Sequence, residues 1–452
     1  MRNILIFGAG RSSHVLINFL LEESAENGFQ ITVIDQEIEL ANKKLNGHTN
    51  GKAVQLDITT EEEREKFIAD ADIVISMLPV RFHLLIAQSC LKLRKNLITA
   101  SYVTPELEQL DGKVKEAGII FLNECGLDPG IDHMSAMSVI DKIRNAGCTL
   151  RSFETFTGGL LLPSPDENPW QYKFTWNPRN VVLAGQGGVK FLQEGMYKYI
   201  PYHRLFRRTE MVHIPGHGYF EGYANRDSLK YMDIYGLRGI KTLYRGTFRR
   251  PGFCRAWDIF VQLGATDDTY QMGNVENMTH KEFINSFLSY NPYDSVELKL
   301  AHYINTPFNS QEMFKLRWLG LFEDTPIGLK EGSPARILEH ILKKKWTLNS
   351  DDLDMIVMWH KFEFFEKNDL KVINAYMIAS GEDRDNTGMA KTVGLPVGIA
   401  AKLILDNKIR SKGVQIPIVE EIYAPILKEL KKCGIEVKEE PAREIKMPDS
   451  NL

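Results

Sequence analysis

A regular alternation over the N-terminal part of the chain constrains its fold more than any other feature. Short apolar runs recur at Ile4 to Phe7, Ile31 to Ile34, Ala53 to Leu56, Ile73 to Leu78, Asn96 to Ala100 and Ile119 to Leu122. Helix-patterned segments separate them, such as Val15, Leu16, Phe19 and Leu20, or Phe82 to Leu91. Continuous apolar runs suit parallel strands buried on both faces. Strands alternating with helices at this spacing predict an α/β fold with a doubly wound parallel sheet. The candidate ligand groups Gly10, Asp35, Asp57, Leu78, Tyr102 and Asp128 all fall at strand C-terminal ends. That edge is where open parallel sheets form their binding crevice.

The first turn has the layout of a dinucleotide site. Strand Ile4 to Phe7 runs into Gly8-Ala9-Gly10-Arg11-Ser12-Ser13, then a helix, then a strand ending at Asp35. Gly8 permits the tight turn, and Gly10 lets the backbone approach a pyrophosphate at the helix N-terminus. Ser13 stands where the pattern has its third glycine and is small enough for close packing. Asp35 is placed to accept from a ribose 2′-OH and would repel a 2′-phosphate, so NAD is expected over NADP. No arginine follows Asp35 closely, although Lys43 and Lys44 could reach round.

A second stretch, Asn123-Glu-Cys-Gly-Leu-Asp-Pro-Gly-Ile-Asp-His133, joins the last of these strands to a helix expected over Met134 to Ile143. Two carboxylates, Asp128 and Asp132, flank a Pro-Gly pair that turns the chain sharply. Asp128 is read either as a simple helix cap or as a reacting group in the crevice. His133 is read as a packing or capping residue, and Cys125 as a small buried thiol.

From about Leu150 the texture changes to short β-like runs and Gly/Pro-rich loops, including Gly158-Gly159 and Pro163-Ser164-Pro165. Asn225 to Ser228 and Tyr244 to Arg250 read as polar turns rich in arginine. Lys241, Arg245, Arg249 and Arg250 form a charge cluster, a solvated face unless they line a cleft and pair with carboxylates. The expected organisation is a dinucleotide domain over 1–124 completed by 387–437, and a mixed-sheet α/β domain over 125–278 and 352–386. A helical insert over 279–351 and a flexible tail over 438–452 complete it. Leu353 to Phe365 and Lys371 to Ile378 read as strands, and Thr387 to Leu405 as a helix whose small residues imply close packing.

Bulk properties exclude several classes. A net charge of −4 over 452 residues gives no surface for nucleic acid or an anionic membrane. No apolar run is expected to make a membrane span of ~20 residues. The five scattered cysteines and a start that leads directly into a strand point to a reduced, cytoplasmic protein. No metal site is expected: His213 and His217 read as loop histidines. Trp170 and Trp176 read as core.

Gly126-Leu127-Asp128-Pro129-Gly130-Ile131-Asp132-His133 resembles a signature of the glutamate-forming saccharopine dehydrogenase family. So do Ser101 to Pro105, Tyr172 to Trp176, Asn225 to Ser228, Arg245 to Arg249, Met389 to Pro396, and Gly413 to Pro417 with Ile422-Tyr423, in order along the chain. The resemblance implies a Rossmann domain, an α/β substrate and dimerisation domain, a helical third domain and a homodimer. It implies that glutamate condenses with 2-aminoadipate 6-semialdehyde and that the imine is reduced by a nicotinamide hydride to saccharopine. It also places cofactor contacts on Gly8, Ala9, Gly10, Arg11, Ser12, Asp35, Asp57, Ile58, Met77, Leu78 and Ser101. Substrate contacts are implied at Ser101, Tyr102, Asp128, Phe174, Arg226, Thr247, Phe248 and Arg249.

The residues agree with that chemistry. Imine formation and hydrolysis need proton transfers, which Tyr102 and Asp128 could supply. Saccharopine carries three carboxylates, which Arg226 and Arg249 suit. Two alternatives stay open. One is an imine reductase acting on a polyamine precursor, as in carboxynorspermidine synthase. The other is a non-enzymatic dinucleotide-binding sensor.

Overall fold

The computed structural model describes residues 1–163 and 168–446, so Ser164-Pro165 of the expected loop and 447–452 of the expected tail lie outside the described residues. The chain forms two compact units, Met1–Leu150 with Phe364–Leu452, and Arg151–Glu363.

The first unit is built on a seven-stranded parallel sheet. Its strands are β1 (Arg2–Phe7), β2 (Phe29–Asp35), β3 (Gly51–Gln55), β4 (Ile73–Ser76), β5 (Asn96–Thr99) and β6 (Ile120–Leu122), with Gly413–Gln415 added at the edge. The order is Gly413–Gln415, β6, β5, β4, β1, β2, β3. Each apolar run of the sequence overlaps one of the six N-terminal strands. Side chains alternate across the sheet. Leu5, Phe7, Val74, Leu97 and Phe121 therefore share one buried cluster with Ile86, Ala87 and Val114 of the covering helices. The chain leaves β1 in one direction to β2 and β3 and returns on the other side to β4. The topological switch thus lies between β1 and β4, where a ligand crevice forms.

The helix Gly388–Leu405 packs against the glycine-turn helix Ser13–Glu22. A Cβ at Gly394 would lie 2.9 Å from the Leu16 nitrogen, and one at Gly398 would lie 2.7 Å from Phe19 Cδ1. The small residues are therefore what allow the two helices to approach. This helix is also long and apolar enough to cross a membrane, contrary to the expectation that no run is. Most of its apolar window, 72%, is buried inside the protein, as in the core helix of a globular domain. The expected flexible tail needs correction as well. Lys438–Glu439 and Arg443–Glu444 pair antiparallel with the strand Asp369–Ser380, whose exposed edge offers them backbone partners.

The second unit carries a mixed sheet, in the order β10, β11, β12, β7 and then strand Asp354–Glu366. Here β7 is Thr149–Leu161, β8 Val189–Gln193, β9 Met196–Ile200, β10 Thr209–Ile214, β11 Gly218–Ala224 and β12 Thr242–Arg249. β12 runs parallel to β7 and antiparallel to β11 and β8, and β9 pairs with β8. Two expected turns are thereby revised. Tyr244 to Arg249 is strand rather than turn, because its alternate residues pack on Phe156 and Phe191. His213 belongs to β10, opposite Tyr219, rather than to a loop. The segment 279–351 is helical, with helices His280–Asn285, Val296–Tyr303, Gln311–Trp318 and Pro334–Trp346. An aromatic core of Trp170, Tyr172, Phe174, Phe253, Trp257 and Trp346 fills this unit with edge-to-face and stacked contacts. Trp170 is core as expected, whereas Trp176 is 36% exposed.

Candidate active site

The glycine turn lies at the switch point. Gly8 has φ +102°, and a Cβ there would sit 2.9 Å from the Met77 carbonyl oxygen, so the end of β4 closes on the turn. Nothing lies within 4 Å of a Cβ built on Gly10, which leaves its outer face open to a ligand. The helix Ser13–Glu22 begins there without a side-chain cap and with no acid in its first turn. Its free N–H groups and dipole favour an anion. Ser13 is buried and donates to the Gly10 carbonyl at 2.9 Å. Arg11 is exposed and Ser12 half-buried beside it. Within the turn the Gly8 amide donates to the Ile34 carbonyl at 2.8 Å and the Ala9 amide to Asp35, which leaves Gly10, Arg11 and Ser12 as the part open to an anion.

Asp35 closes the turn from the other side. Its Oδ2 accepts from the Ala9 amide at 2.6 Å, and its Oδ1 accepts from the Glu37 amide at 2.9 Å. Lys44 reaches round, as its position allowed. Its Nζ donates to the Gly10 carbonyl and lies 3.2 Å from Ser13 Oγ. Burial brings this ammonium down to about 8, against the pull of Asp385 and Asp35. Further along the edge, Asp57 is exposed and accepts from the Thr59 amide at 3.0 Å and hydroxyl at 2.7 Å, which hold its carboxyl below the usual range. Ile58 is buried in the apolar cluster, while Met77 and Leu78 are half-buried.

Tyr102 and Asp128 meet. The phenol donates to Asp128 Oδ1 at 3.1 Å, and both residues are half-buried. The turn that carries Asp128 is tight. The Asp128–Pro129 peptide is cis, and Gly130 has φ +147° with no room for a Cβ, which would fall 2.1 Å from the Gly126 oxygen. The helix that follows runs from Ile131 to Asn145, starting three residues earlier than expected. Asp132 Oδ1 accepts from the Gly130 amide at 2.6 Å and so pins the turn.

Two buried histidines underlie this edge, with partners seven to eighteen residues away in sequence. His83 bridges Ser76 at 2.9 Å and Ser101 at 2.8 Å through its two ring nitrogens. Burial pushes its imidazole down to about 4. His133, held only as a packing or capping residue from the sequence, sits 2.8 Å from Glu124 Oε2 and is fully buried. Residue spacing carried no signal for either pairing, because β4, β5 and the turn after β6 bring the partners together. Cys125 is the buried thiol expected, pushed up to about 12 by burial and 3.6 Å from the Pro396 carbonyl.

In the second unit the candidate residues differ in environment. Arg226 is exposed and holds φ +52°. Thr247 is half-buried, whereas Phe248 is buried against Phe156 and Phe220. Phe174 is buried against Tyr172 and Trp346. Arg249 is buried, with its guanidinium over the rings of Tyr172, Tyr223 and Phe253 at 5.0, 5.7 and 5.2 Å. Its Nη1 donates to the Phe248 carbonyl at 2.9 Å. Arg245 lies over Tyr231 and Arg250 over Phe220. Of the charge cluster, Lys241 is exposed as expected of a solvated face, whereas Arg245, Arg249 and Arg250 are buried and form no such face. β12 turns these side chains inward, and aromatic faces take the place of water.

Comparison with known proteins matches both units to one family. The family model for the saccharopine dehydrogenase NADP binding domain matches residues 4–122, and that for the saccharopine dehydrogenase C-terminal domain matches residues 126–435. The chain is 32% identical over 447 residues to saccharopine dehydrogenase [NADP(+), L-glutamate-forming] of Saccharomyces cerevisiae, covering 97% of this chain and 99% of that protein. It is 34% identical over 458 residues to the mitochondrial alpha-aminoadipic semialdehyde synthase of Bos taurus, whose length it spans by about half, 47%. The solved apo saccharopine dehydrogenase (L-Glu forming) from S. cerevisiae superposes with a TM-score of 0.88 at 30% identity, over 97% of this chain and 99% of that one. The preference for NAD drawn from Asp35 finds no support in these relatives. The family model that matches is an NADP binding domain, and both Asp35 oxygens already accept from backbone amides. With motifs, fold and full-length similarity in agreement, this chain belongs to the saccharopine dehydrogenase family.

Proposed function

We propose that this protein interconverts saccharopine with L-glutamate and 2-aminoadipate 6-semialdehyde, as the names of its full-length relatives suggest. The observation that carries the reading is the Tyr102–Asp128 hydrogen bond at the C-terminal edge of the parallel sheet. A nicotinamide dinucleotide, when bound, supplies or takes up the hydride. Every other step is a proton transfer or a change at carbon. In the oxidative direction the secondary amine of saccharopine becomes an imine. Water adds to the imine carbon, and the C–N bond breaks to release glutamate and the aldehyde. Asp128 takes the proton from the attacking water, and the Tyr102 phenol returns one to the departing nitrogen. Arg226 offers a charge-assisted hydrogen bond to a substrate carboxylate. Arg249 supplies a positive charge whose burial strengthens its field.

For the dinucleotide we propose NADP. Lys44, beside the Gly10 turn, offers the positive charge that Asp35 alone would deny a phosphate. The reading extends to a finer organisation than two compact units. It has a dinucleotide domain over 1–124 closed by 387–437, a substrate domain over 125–278 and 352–386, and a helical domain over 279–351 in a homodimer. The test is absorbance at the reduced-nicotinamide band, with saccharopine and either NADP or NAD in separate cuvettes. Reduction of NADP by saccharopine is the expected result. Reduction of NAD alone would overturn the cofactor and keep the substrate. No reduction with either, together with activity on polyamine precursors, would replace the substrate.

A further inference from the structure

We propose that the buried Glu124–His133 pair is a positioning device for the Tyr102 phenol, a role that rests on the proton-transfer function proposed for Tyr102 and Asp128. Glu124 grips the chain on both sides of Tyr102. Its own amide donates to the Ser101 carbonyl at 3.0 Å, and its Oε1 accepts from the Val103 amide at 3.0 Å. Its second carboxylate oxygen, Oε2, meets His133 Nε2 at 2.8 Å. His133 lies in the first turn of the helix Ile131–Asn145, directly after the turn that carries Asp128. One carboxylate therefore couples the loop of Tyr102 to the element that sets Asp128. The 3.1 Å contact between phenol and carboxylate is the geometric consequence.

The cost of this arrangement argues for a role in the reaction. Glu124 is 2% exposed and His133 fully buried, and a buried ionisable pair is seldom more stabilising than apolar residues of the same volume. Glu124 also holds φ +54°, a backbone region that a residue with a Cβ enters only against strain. Its carboxylate fixes one amide group and one imidazole at once, which an apolar side chain could not do. Ser101 is held independently by His83 at 2.8 Å. The residue before Tyr102 and the residue after it are thus each tied to a buried polar group, and the phenol between them has little freedom to swing away from Asp128.

A double-mutant cycle tests the proposal. Glu124→Gln keeps an acceptor for the Val103 amide but loses the charge that holds His133, and His133→Asn removes the imidazole. Each variant is assayed for saccharopine turnover, dinucleotide affinity and melting temperature, alone and in a Tyr102→Phe background. The expected result is a fall of about tenfold in kcat, with dinucleotide Kd within about twofold of the parent. In the Tyr102→Phe background the same substitutions should add less than about twofold, because the group they position is gone. Turnover within about twofold for both single variants would overturn the proposal. So would full multiplication of effects in the Tyr102→Phe background, which marks a merely structural role. Failure of both Glu124→Gln and His133→Asn to fold would overturn it in the same way. Unchanged turnover in Tyr102→Phe alone would instead remove the proton-transfer reading itself, and the positioning role with it.

Discussion

The first unit holds its candidate reacting groups by directional hydrogen bonds, whereas the second packs the buried arginines Arg245, Arg249 and Arg250 against ring faces. Tyr102, Asp128, Asp132 and Glu124 each bond to a specific side-chain or backbone atom within about 3 Å. Arg245, Arg249 and Arg250 rest over Tyr231, Tyr172, Tyr223, Phe253 and Phe220 at 4.1 to 5.7 Å, with Arg249 also donating to the Phe248 carbonyl. A hydrogen bond fixes one atom to a few tenths of an ångström and weakens steeply when misaligned. A cation over a ring is held through the quadrupole and tolerates sliding. Proton transfer needs the first kind of restraint, because donor and acceptor must lie within hydrogen-bond reach. Presenting positive charge to a carboxylate needs only the second.

Substitutions should separate the two kinds of restraint. The largest effect is expected at Asp128. Asp128→Asn preserves shape but removes the base, so turnover should fall by roughly 10²-fold or more with dinucleotide affinity unchanged. Steady-state kinetics with a parallel binding titration would show this, and unchanged turnover would strip the first unit of its assigned chemistry. Arg249→Met keeps an apolar stem but removes the cation from its three rings. The expected loss is about 2 kcal/mol of stability, read as a lower midpoint in denaturant. Arg226→Ala, at an exposed position, should leave the midpoint within about 0.5 kcal/mol and raise KM for saccharopine roughly tenfold. Equal midpoints for the two arginine variants would erase the distinction drawn for the second unit.

The smaller effects concern titration in the first unit. Below about 8 Lys44 is charged, so NADP affinity should weaken as pH rises through that value. Lys44→Ala should weaken NADP binding about fivefold at pH 7 and flatten this dependence, while NAD binding changes less. The smallest effect is expected from His83. Its folded imidazole takes up a proton only near 4, whereas the unfolded one does so near the ordinary 6.5. Between those values the unfolded chain binds more protons, so stability falls as pH drops through that window and is retained above it. A melting series from pH 7 to pH 4 should show the decline, and His83→Gln should reduce its slope.

Much of the fold was legible in the residues. Apolar runs of strand length, each followed by a polar or glycine turn, announced the parallel sheet, since such runs are stable only when both faces are covered. The small residues of Gly388–Leu405 announced a close helix contact, and the contact is with Leu16 and Phe19. Tyr102 and Asp128 were legible as strand-end groups because the C-terminal edge gathers them whatever the loops do. The same reasoning misread β12 as a polar turn. Its arginines looked solvated by composition, and only the aromatic partners from Tyr172, Phe220 and Tyr231 make them interior residues.

Composition and periodicity thus determine the strands and helices of the parallel sheet and which groups stand at its C-terminal edge. These are local matters, settled by spacing along the chain. The partners of several polar groups at this edge were decided by tertiary structure alone. His83 lies 18 residues from Ser101, and Lys44 lies 34 residues from Gly10. Such pairs exist only once the fold places β4 beside β5 and the helix Ile38–Leu45, which carries Lys44, beside the glycine turn. The hydrophobic pattern specifies that order through burial, whereas hydrogen bonding selects the atoms that meet within it.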